Sequence, residues 1–104
     1  MTLSLLEHFE QAKSLLRKAL PVARRVHGEN DAITFKMRWS LAGVIIAEPG
    51  ATLDNVREAK TMLEETAPTA RRVLGSAHPT TEGIEGSLQI ARVMVRGREA
   101  SGSP

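Results

Sequence analysis

Apolar residues recur at steps of three and four along most of the chain, the period of a helix with one buried side. The first run, Leu5, Phe9, Ala12, Leu16, Ala19, Ala23 and Val26, keeps a single phase throughout. Ser4-Leu5-Leu6-Glu7 has the form of a capping box and predicts a helix start at Ser4, while Gly28 predicts its end as a left-handed cap. A second long run, Val56, Ala59, Leu63, Ala67, Ala70 and Val73, follows Thr52 as N-cap and ends at Gly75. Each run contains a proline, Pro21 or Pro68, which cannot donate a backbone hydrogen bond. Because the stripe keeps its phase across both, the pattern predicts kinked rather than broken helices.

Two further helices alternate with these. Asp31 predicts the start of a helix over 32–47 with two apolar sides, one of Ile33, Met37, Leu41, Val44 and Ile45, the other of Phe35, Trp39, Ala42 and Ile46. A helix apolar on two sides is buried between neighbours. The last helix opens at His78-Pro79, with proline in its favoured first position, and carries Ile84, Leu88, Ala91 and Val95. Glu48-Pro49-Gly50 is a loop signal, and residues 98–104 read as a flexible tail.

The two long runs nearly repeat one another. AKSLLRKALPVARRVHG at 12–28 and AKTMLEETAPTARRVLG at 59–75 share nine of seventeen positions, and the same offset pairs Thr34 with Thr81, Ser40 with Ser87 and Leu41 with Leu88. A unit of about 47 residues holding two helices is the signature of a stacked helical array. The expected fold is therefore all-α: four antiparallel helices in one domain over 1–97, repeat one at about 4–47 and repeat two at about 51–96.

Composition narrows the function. With only Phe9, Phe35 and Trp39 as aromatics, the core must be aliphatic, and the absence of cysteine excludes thiol chemistry and disulfides. No apolar stretch is long enough to span a membrane, and Glu7 and Glu10 close behind the first apolar residues argue against a signal peptide. These features point to a cytoplasmic protein. His8, His27 and His78 have no metal-ligand spacing, and no serine lies in a nucleophile-elbow motif, so no cofactor and no enzymatic activity are expected. Arg24-Arg25 and Arg71-Arg72 could track phosphates, but both sit in the last turn of a helix, where cations complement the dipole. The acidic residues Asp54, Glu58, Glu64 and Glu65 offer them partners, which makes nucleic acid an unfavoured ligand.

Gly75-Ser76-Ala77-His78-Pro79-Thr80-Thr81 resembles the junction between repeats of kinesin-light-chain-type tetratricopeptide proteins. Glu58-Ala59, Leu63 and Arg71-Arg72-Val73-Leu74 are similar to the second helix of such a repeat, and Leu41-Ala42 to the end of the first. The resemblance implies a right-handed superhelix of helix pairs whose concave face holds segments of other proteins. Where that family often places two asparagines lining the groove, this chain has Trp39-Ser40 and Gly86-Ser87.

The leading expectation is a scaffold-like interaction module that binds a protein segment or its own copy. A groove formed by Lys36, Arg38, Trp39 and Ser40 would favour an acidic peptide. Ile90, Val93 and Met94 extend beyond the core stripe of the last helix and form a candidate self-association face, which would give a homodimer. Two alternatives stay open: a fragment of a larger helical scaffold without its own ligand, and a nucleic-acid-binding helical repeat.

Overall fold

In a computed structural model, which describes residues 4–101, the chain forms four helices. They are α1 (Leu5–His27), α2 (Ala32–Ala47), α3 (Leu53–Leu74) and α4 (Pro79–Ser101). Each start is set by a side chain that accepts a backbone N–H otherwise left without a partner. Ser4 Oγ accepts from Glu7 N–H at 3.2 Å, and Asp31 Oδ1 from Ile33 N–H at 2.8 Å. Thr52 and Asn55 form a reciprocal capping box. At α4 the cap is a histidine: His78 Nδ1 accepts from Thr80 N–H at 3.1 Å, ahead of Pro79, which needs no acceptor. α1 and α3 end at glycines with positive φ, Gly28 at 95° and Gly75 at 102°, a conformation that a side chain would strain. Both helices continue through Pro21 and Pro68.

α2 is the hub. It packs against α1, α3 and α4, while α3 also packs along α4, giving a slab of 40 × 38 × 20 Å. The two apolar sides of α2 explain this position. Leu41, Ala42, Ile45 and Phe35 are all buried, and they join Leu20 of α1, Ala59, Leu63, Ala67 and Ala70 of α3, and Ile84, Leu88 and Ala91 of α4 in one core. The repeated threonines Thr34 and Thr81 are buried, and each hydroxyl donates to a backbone carbonyl, Gly28 at 2.6 Å and Ala70 at 3.3 Å. A smaller cluster closes the other end: Ala51, after the Glu48-Pro49-Gly50 turn, is buried with Val56 and Val95.

Three expectations are corrected. The α1 stripe is only partly core: Leu5 and Val26 are exposed, and of its residues only Ala23 is buried, beside Leu20, which lies off the stripe. Ile33 and Val73, also read as core, lie at the surface. The last helix does not end near Gly97 but runs to Ser101, so residues 98–101 are helical rather than tail; 102–104 lie outside the described residues.

Candidate protein-docking surface

The four residues expected to line a groove divide into two pairs. Lys36 and Ser40 are exposed, one turn apart on the same side of α2. Arg38 is turned inward. Its side chain is mostly buried and ion-paired with Glu29, whose other oxygen lies 3.5 Å from Arg24 Nε, so it fastens the α1–α2 turn. Trp39 is half-buried between α2 and α4, where it packs on the core and its Nε1–H donates to Ser87 Oγ at 3.0 Å. The indole lies over Gly83, where a β-carbon would meet its ring carbons. Ser87 stood out in the sequence only as the repeat partner of Ser40, and Gly83 was not singled out. The available signal was a glycine inside a helix, which needs a packing reason to offset its poor propensity.

The candidate self-association face also divides. Ile90 and Val93 are 55% and 63% exposed, whereas Met94 leans into the small cluster beside Val56 and Val95. Around Ile90 and Val93 the surface of α4 is polar or small, with Glu82, Gly86, Gln89 and Arg96 exposed.

The larger apolar surface lies at the opposite edge of the array and was not anticipated. Leu5, Leu15 and Val26 of α1 are 59%, 68% and 69% exposed, and Leu6, Val22 and Ile33 are also at the surface. Ala19, Val22, Ala23, Val26 and His27 of α1 form an open, mainly apolar groove with Met37 of α2, about 430 Å³ in volume. The repeat shows why this groove is open. Val56, Ala59, Leu63 and Thr66 of α3 are essentially fully buried. Their counterparts 47 residues earlier, Phe9, Ala12, Leu16 and Ala19, are only half-buried. Among the described residues, α3 has helices packed on two sides, α2 and α4, whereas α1 packs on α2 alone.

The charged residues mostly tie helices together. Arg17 makes a bidentate pair with Glu58 at 2.7 and 3.1 Å, linking α1 to α3; Arg57 pairs with Glu99 at 2.6 Å and Arg71 with Glu85, linking α3 to α4. The arginine pairs thus find partners other than the acidic residues expected: Arg24 meets Glu29 and Arg71 meets Glu85, while Glu58 takes Arg17 and Glu64 lies 3.8 Å from Arg92. Lys13 bridges Glu10 and Glu48, both at 3.0 Å, and these carboxylates hold its ammonium above its ordinary pKa. Lys18, Arg25 and Lys36 are exposed and have no ion-pair partner among the described residues.

The Arg17 guanidinium holds the Glu58 carboxyl below its ordinary value of 4.5. A depressed folded pKa means that this pair stabilises the fold above that value and stops doing so as pH falls through the lowered one. Glu58→Gln should therefore lower stability at neutral pH by about 0.5 kcal/mol, since solvent screens a pair this exposed. Denaturant melts at pH 7 and at progressively lower pH check this: the gap between wild type and variant should narrow below pH 4.5.

No three side chains among the described residues converge as metal ligands, and no described helix is long and apolar enough to cross a membrane. Paired helices in repeat and a shared core through α2 define a helical-repeat protein. The tetratricopeptide repeat model matches residues 1–32 and 51–80, and the chain belongs to that family. Both matches cover a long helix and the turn after it, ending within two residues of the start of α2 and of α4. No curated protein and no solved structure matches the chain. Repeats of this family generally mediate protein–protein interaction.

Proposed function

We propose that the chain is a non-enzymatic interaction module of the kinesin-light-chain-like type, working in the cytoplasm, that holds an amphipathic segment of a protein along the open edge of α1 and α2. The observation carrying this reading is the apolar groove of Ala19, Val22, Ala23, Val26 and Met37. Lys36 on α2 and Lys18 and Arg25 on α1 have no ion-pair partner among the described residues, which favours a segment with acidic flanks over a cation-rich one. The apolar lining of the groove favours a polypeptide over nucleic acid. Lys36 and Ser40 belong to this reading as exposed residues of α2, with Arg38 and Trp39 supporting the turn and the α2–α4 joint beneath them.

The test is fluorescence anisotropy with a labelled synthetic helix carrying leucine and alanine on one side and glutamate on its flanks. Binding in the micromolar range that weakens with salt and is lost in Val22→Glu supports the reading. No binding, or equal binding to Val22→Glu, removes it. Self-association through Ile90, Val93 and Met94 is a second reading, favoured by the exposure of the first two. It predicts that Val93→Glu abolishes any dimer.

A further inference from the structure

We infer that the outer face of α1 is a homodimer seam, in which two copies pair antiparallel through this helix. This names the partner at the edge just described, and so rests on the reading that the edge docks a helix. The first observation is spacing. Leu5, His8, Ala12, Leu15, Ala19, Val22 and Val26 alternate steps of three and four over three heptads, the pattern of a coiled-coil seam. These positions are distinct from Leu16, Leu20 and Ala23, which pack toward α2. The seam is open for its whole length, about 30 Å at 1.5 Å per residue. Leu5, His8, Leu15, Val22 and Val26 are exposed and the two alanines half-buried.

The second observation is that the seam matches its own reverse. Centred between residues 15 and 16, an antiparallel pair sets Ala12 against Ala19 and Leu5 against Val26 of the second copy, and brings the two Leu15 side chains side by side at the middle. Alanine facing alanine lets the backbones approach, while the larger residues fill the centre and the ends. Charge follows the same symmetry. Glu7 and Arg25 are eighteen residues apart, five full turns, and so lie on one flank of α1. Reversal brings each beside the other's counterpart, giving two Glu7–Arg25 pairs across the two-fold axis. Neither residue has an ion-pair partner within its own chain among the described residues. The interface is isologous and closes at two copies. The α4 face does not match itself in this way, since Glu82, Gly86 and Gln89 interrupt it.

The experiment is sedimentation equilibrium of the full chain over a wide concentration range, with circular dichroism of each variant as a fold control. Wild type should move from 11.3 kDa to twice that mass. Leu15→Glu should stay monomeric with unchanged helicity, because Leu15 takes no part in the monomer's core. Val93→Glu should dimerise like wild type. Glu7→Arg or Arg25→Glu alone should weaken the dimer by about tenfold through facing like charges, and the double exchange should recover it. A wild type that stays monomeric, a dimer that survives Leu15→Glu, an assembly larger than two, or no recovery in the double exchange would each overturn the proposal. A monomer that still binds the acidic helix sinks the dimer and leaves the docking edge standing; a monomer that binds nothing removes both.

Discussion

Replacing Gly83 with alanine is expected to destabilise the fold, although alanine is the better helix former. The added methyl would lie closer than 3 Å to ring carbons Cζ2, Cη2 and Cε2 of Trp39. The indole cannot simply retreat, since it packs on the core and its Nε1–H is held by Ser87. Overpacking of this kind costs about 1–3 kcal/mol, against a propensity gain of roughly 1 kcal/mol. Gly86→Ala, three residues on, is the control: a β-carbon there meets nothing within 4 Å. That change should stabilise by about 0.5–1 kcal/mol. Thermal melts should therefore move in opposite directions, by about 4–8 °C per kcal/mol in a domain of this size. A Gly83→Ala protein as stable as wild type would show that Trp39 does not seat there in solution.

Phe35→Ala should be the most damaging single change. Phe35 is wholly buried in the core that α1, α2, α3 and α4 share, and it is the only fully buried aromatic side chain among the described residues. Truncation removes its burial and leaves a cavity that four helices cannot all close around, at about 3–5 kcal/mol. A small domain holds roughly 5–15 kcal/mol in total, so the variant should sit at or near unfolding at 37 °C. Urea denaturation checks this as a large fall in midpoint. Val73→Ala, in the expected core stripe of α3 but exposed in the fold, should stay within about 0.5 kcal/mol of wild type.

The contrast between Phe35 and Val73 shows where sequence reading reached its limit. Both are apolar residues at helical spacing, and periodicity alone gives them equal claim to the core. Spacing reports which residues share a side of one helix; it carries no information on how many neighbours that side meets. The α1 stripe makes the same point. Phe9, Ala12, Leu16 and Ala19 match the fully buried positions of α3, yet stay half-buried because, among the described residues, α1 packs against α2 alone and α3 against both α2 and α4. The four residues expected to line a groove divide for a related reason. Lys36, Arg38, Trp39 and Ser40 are consecutive or nearly so, but 100° of rotation per residue sends Arg38 and Trp39 toward neighbouring helices and leaves Lys36 and Ser40 outside.

Local chemistry was legible in the sequence. Ser4, Asp31, Thr52 and His78 as starters, Gly28 and Gly75 as terminators, and the 47-residue repeat defined four helices and an all-α array, because caps and periodicity depend on residues within a turn or two of each other. The family match to the repeated long helices agrees with that reading. Tertiary packing alone decided that α2 is the hub, that Gly83 exists for Trp39, and that the open apolar surface lies on α1 rather than chiefly on α4. Those outcomes depend on which helix sides meet across 40 residues or more, and no local pattern encodes the geometry of that meeting.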